Sequence, residues 1–356
     1  MTSRVNEQYF RRNYVIHEKD ITFHDVREAP FGLYGLYQPQ QEAVFKRLPD
    51  SVAEATSERV SQLYKNTSGG RVRFVTDSSC IAIKAKMPYI AHRSIMSLLC
   101  TAGFDLYVRQ NNTEIYRTSF RPPIDMEDGF ENIIHFKDAS LREITIYFPL
   151  YNDVDSLEIG VRDGAALLQH ADYAIPDPVV YYGSSITQGA NASRPGMSYE
   201  AMISRRLDCD FINLGFAGSA RGETAMAEYI STLRCSAFVC DYDHNAPTAE
   251  HLRNTHEKLY RTVREKQKTI PILLLSRPTG SSASADDHER RSIVFSTYHN
   301  ARSSGDDNVH FVDGFSLFGA ADSDDCFADG VHPNDLGLYR MSELIGKTLR
   351  IALMKK

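Results

Sequence analysis

The sequence predicts an α/β protein: a three-layer, flavodoxin-like parallel sheet, preceded by an antiparallel β-sandwich of jelly-roll type. Two patterns along the 356-residue chain support this prediction. Residues 70–163 contain short runs of alternating apolar and polar residues, separated by turn residues, which is typical of an antiparallel sandwich. From residue 178 onward, strand-like and helix-like runs alternate, which predicts parallel strands joined by right-handed helical crossovers.

Residues 1–171 are predicted to form the sandwich domain, with an irregular segment at the N-terminus. Apolar residues at helical spacing predict a helix over residues 48–65. The Asn111-Asn112 pair lies between two alternating runs and predicts a hairpin turn. A proline-containing segment of loop character follows the last alternating run, and we place the domain boundary there, near residue 172.

Residues 172–356 are predicted to form the α/β domain. Its apolar strand runs cover residues 179–183, 210–216, 236–243, 269–278 and 308–314. Amphipathic helical runs follow at residues 198–207, 222–233, 248–266, 287–303 and 334–353. Because parallel strands all point the same way, the loops after their carboxyl ends are expected to meet at one edge of the sheet.

Composition restricts the class of protein. The net charge is −6 and the pI is about 6.1, so no basic excess predicts nucleic acid or a membrane surface as a partner. The six cysteines are scattered without a C-x-x-C pair, which predicts reduced thiols and neither a zinc site nor another cofactor. No apolar leader or stretch of about 18 apolar residues occurs. We expect a cytoplasmic protein, and self-association is left open.

The stretch VVYYGSSITQGA at residues 179–190 predicts a buried strand that ends in a sharp turn at Gly183. A serine in such a turn presents its hydroxyl to a crevice at the sheet edge. Far along the chain, CFADGVHPNDLG places Asp329 and His332 three residues apart in a loop before the last helix. A serine nucleophile needs a base, and the base needs a carboxylate that fixes its tautomer. The sequence therefore predicts acyl-transfer chemistry.

Four motifs in this order, GSSITQG, NLGFAGSA, DYDHNA and DGVHP, resemble the four sequence blocks of the SGNH (GDSL-type) esterase and acylhydrolase superfamily. The resemblance covers residues 178–345, and the preceding β-rich region resembles the sandwich domain of some members. It implies that Ser185 is the nucleophile, His332 the general base and Asp329 its orienting carboxylate. It also implies an oxyanion hole formed by Ser185, Gly218 and Asn245.

The sequence departs from the usual blocks in two places. The family usually has Asp before the nucleophile, where this chain has Ser184, and its third block usually reads Gly-x-Asn-Asp, where this chain has Asp243-His244-Asn245-Ala246. The flanking carboxylate is lost on both sides, so a lipase-like substrate preference is not supported. Two alternatives stay open: Ser184 as the nucleophile and His244 as the base.

Each predicted site residue also has a purely structural interpretation. Gly218 could permit a positive φ in a turn, and Asn245 could cap the following helix. Arg194, Arg221 and His244 are predicted to contact substrate, although the two arginines could equally form surface salt bridges.

The leading functional interpretation is a serine esterase that removes a small acyl group, such as acetyl, from a carbohydrate or another polar alcohol. The carbohydrate part rests on analogy with glycan-binding sandwich domains. One alternative is an acyltransferase that uses the same triad. A second alternative is a non-catalytic glycan-binding protein.

Overall fold

The computed structural model describes residues 16–354. Residues 1–15, which begin the predicted irregular N-terminal segment and form the stretch where no leader sequence is expected, lie outside the described residues. We refer below to residues 16–171 as the N-terminal region and to residues 172–354 as the C-terminal region.

The N-terminal region consists of antiparallel strands and three short helices. Its strands are β1 (Ile21–Asp25), β2 (Gly32–Tyr34), β3 (Arg71–Thr76), β4 (Cys80–Lys86), β5 (Phe104–Gln110), β6 (Thr113–Phe120), β7 (Gly129–His135), β8 (Arg142–Tyr147), β9 (Ser156–Arg162) and β10 (Leu167–Leu168). Its helices are α1 (Asp50–Thr56), α2 (Glu58–Leu63) and α3 (Leu98–Ala102).

These strands form two antiparallel sheets, which confirms the predicted sandwich. One sheet has the order β1-β9-β4-β7, and the other has the order β10-β3-β8-β5-β6, with β2 also paired to β3. Alternating apolar residues of both sheets, such as Phe74, Ile83 and Ile146, form a shared buried core. Asn111 and Asn112 have φ angles of 50° and 61° between β5 and β6, as a hairpin turn of that type requires.

The predicted helix over residues 48–65 is divided into α1 and α2. Ser57 between them is extended, with φ −172°, and its side chain accepts a hydrogen bond from the backbone N–H of Val60. A serine that caps a helix start in this way competes with the continuation of the preceding helix.

The C-terminal region is a parallel sheet with helices on both faces. Its strands are β11 (Ile175–Gly183), β12 (Cys209–Gly215), β13 (Ala237–Asp241), β14 (Ile272–Leu275) and β15 (Val309–Val312). Its helices are α4 (Ser185–Gln188), α5 (Tyr199–Leu207), α6 (Thr224–Thr232), α7 (Ala249–Lys266), α8 (Ala285–Ser303) and α9 (Asp335–Leu353). The strand order β12-β11-β13-β14-β15 is flavodoxin-like. The predicted three-layer sheet is therefore confirmed.

The two regions are packed closely together. Leu48, Val60 and Leu63 of the N-terminal region lie in the core on one face of the parallel sheet, while Tyr107 and Tyr151 lie in the core on the other face. The boundary near residue 172 stays a prediction, but the buried surfaces of the regions are continuous across it.

A buried arginine strengthens this contact. The Arg47 guanidinium donates hydrogen bonds to the carbonyl oxygens of Asn213 and Gly215 at 3.1 and 2.6 Å and to that of Leu63 at 2.8 Å. The central carbon of its guanidinium lies 4.5 Å from the centre of the Phe216 ring. One side chain of the N-terminal region thus binds the carboxyl end of β12, next to the edge where the predicted site residues lie.

Within residues 16–354, no helix combines the length and the apolar character needed to cross a lipid bilayer. The same residues contain no group of three or more His, Cys, Asp or Glu side chains placed to hold a metal ion.

Candidate active site

The turn after β11 places two neighbouring serines in different environments. Ser184 is fully buried, and its hydroxyl accepts a hydrogen bond from the Ile186 N–H at 3.1 Å, which caps α4. Ser185 is the first residue of α4 and lines a surface cavity. A β-carbon at position 183 would lie 2.1 Å from the Thr187 hydroxyl oxygen. Only glycine therefore permits the close approach of Thr187 to the backbone at the start of this turn. Ser184 has a structural role in this geometry, whereas Ser185 is accessible.

Ser185, His332 and Asp329 form one hydrogen-bonded chain. The Ser185 hydroxyl oxygen lies 2.8 Å from His332 Nε2, and His332 Nδ1 lies 2.8 Å from an Asp329 carboxylate oxygen. The His332 and Asp329 side chains are 20% and 26% exposed, and Ser185 and His332 line the surface cavity while Asp329 lies behind His332. The structure thus brings together the three residues predicted as a triad.

Two backbone groups fix the Asp329 carboxylate. One of its oxygens accepts hydrogen bonds from the backbone N–H groups of Val331 and His332 at 3.0 and 2.7 Å. Burial raises the pKa of Asp329, but the backbone and ring donors of His332 outweigh it, and the pKa lies below its ordinary value. An ionised Asp329 only accepts hydrogen bonds. His332 Nδ1 must then carry the proton, which leaves the Nε2 lone pair facing Ser185.

Gly218 and Asn245 lie on the wall of the same cavity. Gly218 has a φ of +70°, so the predicted positive φ occurs. The Asn245 side-chain amide donates one hydrogen bond, at 2.9 Å, to the Phe216 carbonyl oxygen. An amide has a second N–H, and the bond to Phe216 fixes the plane of the group. Asn245 therefore does not cap α7, whose N-cap is Thr248.

His244 also lines the cavity. Its Nε2 atom is buried and has no hydrogen-bond partner among the described residues. Burial, followed by the positive charges of Arg277 and His332, lowers its pKa to about 3. A ring that stays neutral in this way has little basicity, and His332 is the histidine that contacts Ser185.

The two predicted substrate-binding arginines lie outside the cavity lining. Arg194 donates to a carboxylate oxygen of the buried Asp105 at 2.8 Å and to the Tyr107 hydroxyl at 2.7 Å, so it joins the two regions. Arg221 donates to the Gly218 carbonyl oxygen at 3.3 and 3.1 Å. Both arginines are occupied by protein acceptors, and Arg221 supports the turn that carries Gly218.

A buried carboxyl group lies beneath the serine turn. One oxygen of Asp241 accepts hydrogen bonds from the Thr187 and Tyr199 hydroxyl groups at 3.0 and 3.1 Å. Its backbone carbonyl accepts a 3.3 Å hydrogen bond from the Ser184 N–H. Burial raises the pKa of Asp241 to about 7. Asp241, which contacts the serine turn from below, therefore gains a negative charge near neutral pH.

The cavity has a volume of about 630 Å³, which is in the usual range for small-molecule sites. Part of its wall comes from the N-terminal region, namely Tyr151 and residues 92–96. The Tyr151 hydroxyl donates a 3.0 Å hydrogen bond to the Ser185 carbonyl oxygen. Sequence reasoning missed this wall, because no local pattern shows that a loop of the sandwich reaches the end of β11.

Two known families match the chain in succession. Residues 176–350 match the GDSL-like lipase/acylhydrolase family. Residues 21–167 match the N-terminal region of SGNH-hydrolase-type esterases. No curated protein sequence matches.

Several solved structures share the whole arrangement. A Bacteroides ovatus protein described as a GDSL-like lipase is 26% identical, with 94% of this chain and 98% of that chain covered and a TM-score of 0.84. A salicylyl-acyltransferase from a tetracycline biosynthetic pathway is 18% identical, with 95% and 98% covered and a TM-score of 0.77. A family two carbohydrate esterase from Clostridium thermocellum, in complex with cellohexaose, is 15% identical, with 81% and 93% covered and a TM-score of 0.60.

Proposed function

Because the chain belongs to the SGNH (GDSL-like) lipase/acylhydrolase family, we propose that it is a serine esterase that removes a small acyl group, such as acetyl, from a carbohydrate or another polar alcohol. The observation that carries the proposal is the hydrogen-bonded chain of Ser185, His332 and Asp329, with 2.8 Å between Ser185 and His332 and 2.8 Å between His332 and Asp329. Ser185 and His332 line a cavity whose wall also includes Gly218 and Asn245.

The proposed first step is acylation of Ser185. Its hydroxyl oxygen attacks the ester carbonyl carbon while His332 Nε2 accepts the hydroxyl proton. Asp329 stabilises the imidazolium that results and holds the ring in place. The tetrahedral intermediate then expels the alcohol, which takes the proton from His332. In the second step, water gives a proton to His332 and attacks the acyl carbon of the acyl-enzyme. The bond between that carbon and the Ser185 oxygen then breaks, Ser185 takes the proton back from His332, and the acid leaves.

The charge on the carbonyl oxygen needs donors that are already in place. We propose the backbone N–H groups of Ser185 and Gly218 and the second amide N–H of Asn245 for this role. The N–H of Ser185 belongs to the first turn of α4, where N–H groups have no acceptor within the helix. The hydrogen bond from Asn245 to Phe216 supports the proposal because it orients the amide before substrate binds.

Two observations support a carbohydrate or another polar alcohol as the substrate. The solved carbohydrate esterase with cellohexaose shares the fold, and the cavity wall contributed by the N-terminal region offers polar groups to an alcohol bound beside Ser185. We therefore assign substrate access and binding to the N-terminal region. All six cysteines are buried, and reduced thiols at these positions would fit the proposed cytoplasmic location, because thiols persist in a reducing compartment.

The test is acyl release from acetylated sugars and from para-nitrophenyl esters of increasing chain length. We expect acetyl esters to be the best substrates and Ser185→Ala to abolish turnover while the protein stays folded. If an alcohol is added and the protein transfers the acetyl group to it, forming a new ester rather than releasing acetic acid, the acyltransferase alternative would be favoured. Binding of glycans by wild type and Ser185→Ala without any ester cleavage would favour the non-catalytic alternative and contradict the proposal.

A further inference from the structure

The cavity beside Ser185 has an uneven distribution of charge. Its lining includes Arg93 and three histidines, His92, His244 and His332, but no Asp or Glu among the described residues that form it. Arginine carries a permanent positive charge. A substrate in this cavity therefore faces a fixed positive charge that no carboxylate of the lining neutralises.

The Arg93 side chain has no hydrogen-bond acceptor among the described residues. Its guanidinium forms no hydrogen bond or ion pair with any residue that the structure describes, whereas Arg194 is paired with Asp105, and Arg277 is paired with Asp286. The five N–H donors of Arg93 are therefore available to a ligand.

An aromatic ring places the Arg93 guanidinium close to the serine turn. The central carbon of the guanidinium lies 5.0 Å from the centre of the Tyr151 ring, a distance at which cation–π attraction operates. The Tyr151 hydroxyl in turn donates to the Ser185 carbonyl oxygen. One residue, Tyr151, thus lies between Arg93 and Ser185, the proposed nucleophile.

The loop that carries Arg93 lies between β4 and α3 and is fixed on both sides. The Ala91 N–H donates to the Asn152 side-chain oxygen at 2.8 Å, and the Ser97 hydroxyl donates to the Ser193 carbonyl oxygen at 2.9 Å. The second bond joins the N-terminal region to the C-terminal region. Because the loop is held before any ligand arrives, binding to Arg93 requires little ordering of the backbone.

We propose, on the basis of the esterase function above, that Arg93 recognises a carboxylate on the ester substrate. A guanidinium presents parallel N–H groups that match the two oxygens of a carboxylate, which a point charge such as lysine does not. The carboxylate belongs either to the acyl part, as in the half-ester of a dicarboxylic acid, or to the alcohol part, as in an acetylated hydroxy acid or sugar acid.

Two pairs of substrates test the proposal and separate these sources. Para-nitrophenyl adipate and its methyl ester differ by one negative charge on the acyl side. Meta-acetoxybenzoate and its methyl ester differ by the same charge on the alcohol side. We expect wild type to have the higher kcat/KM for the acid in at least one pair.

Variants of Arg93 then identify the residue responsible. Arg93→Gln is expected to lower kcat/KM for the preferred acid by roughly ten- to a hundredfold, the size of a lost charge-assisted hydrogen bond, mainly through KM. The matching methyl ester should change by less than about threefold. Arg93→Lys should recover part of the loss. Arg117→Gln is the matched control, because Arg117 is exposed on β6, away from the cavity.

Equal effects of Arg93→Gln on acid and methyl ester in both pairs, or no effect on either, would overturn the proposal. The assignment of Ser185 as the nucleophile is tested separately, because it fails if Ser185→Ala still hydrolyses the methyl esters. If wild type hydrolyses none of the four esters, calorimetry with meta-hydroxybenzoate and monomethyl adipate replaces the assay. Binding that Arg93→Gln abolishes would then support the carboxylate site, and no binding by wild type would refute it.

Discussion

The hydroxyl oxygen of Ser185 lies 2.8 Å from Nε2 of His332, although 147 residues separate them in the sequence. Ser185 follows the carboxyl end of β11, and His332 precedes α9. The loops at that edge of the parallel sheet bring them together. The contact depends on the fold of the entire C-terminal region, since nothing holds these two residues near each other in an unfolded chain.

Asp329→Asn should lower kcat by roughly 10²–10⁴, because an amide at this position favours the wrong tautomer of His332. KM for a small ester should change little, since Asp329 does not line the cavity. Asp325→Asn is the control in the same loop. A loss below tenfold in Asp329→Asn, measured with para-nitrophenyl acetate, would show that the carboxylate does not position the ring.

Asn245→Ala should lower kcat by roughly 10²–10³, with a smaller effect on KM, because the amide acts on charge that appears in the transition state. It should also cost about 1 kcal/mol of folding free energy through the lost hydrogen bond to Phe216. Asn300→Ala, which removes an exposed amide bonded to Glu257, provides the control. An unchanged kcat with only the stability loss would assign Asn245 a structural role.

Asp241 should make stability depend on pH. Its pKa is raised to about 7 by burial, so the stabilisation from its protonated form is complete below pH ~4 and is lost as the pH rises through ~7. Asp241→Asn removes this titration. Between pH ~5 and ~8 we expect wild type to lose about 2–3 kcal/mol more unfolding free energy than the variant. Urea unfolding at both pH values checks this, and parallel losses would contradict it.

Arg47→Met should lower the free energy of unfolding by about 3 kcal/mol or more, because three buried carbonyl oxygens lose their donor. The exposed Arg59→Met should change it by less than about 0.5 kcal/mol. The comparison uses urea unfolding of the full-length chain. A loss below about 1 kcal/mol in Arg47→Met would mean that Arg47 contributes little to the contact between the regions.

The sequence predicts the parts of this site that follow from strand order. Ser185, Gly218, Asn245 and His332 each follow a strand or precede a helix in a readable pattern, and parallel strands place such loops at one edge. The division of residues 48–65 into two helices was not predicted, because the choice of Ser57 as a cap over helix continuation depends on tertiary packing.

Side-chain partners across the two regions could not be predicted. Arg194 is a substrate-contact candidate in the sequence, yet its acceptor Asp105 lies 89 residues earlier and is buried. Arg93 lies in a loop without any motif and reaches the cavity only because Ser97 and Asn152 hold that loop in place. Such contacts depend on how the sandwich packs against the sheet, which residue periodicity does not encode.

The most direct test of the central claim, that Ser185 is the nucleophile activated by His332, is covalent labelling with a fluorophosphonate followed by peptide mass spectrometry. We expect a single modified residue, Ser185, in wild type and in Ser184→Ala. Labelling should be absent in Ser185→Ala and slowed by at least roughly a hundredfold in His332→Ala, because triad members act as a unit. A label on Ser184, or labelling that persists in Ser185→Ala, would contradict the account.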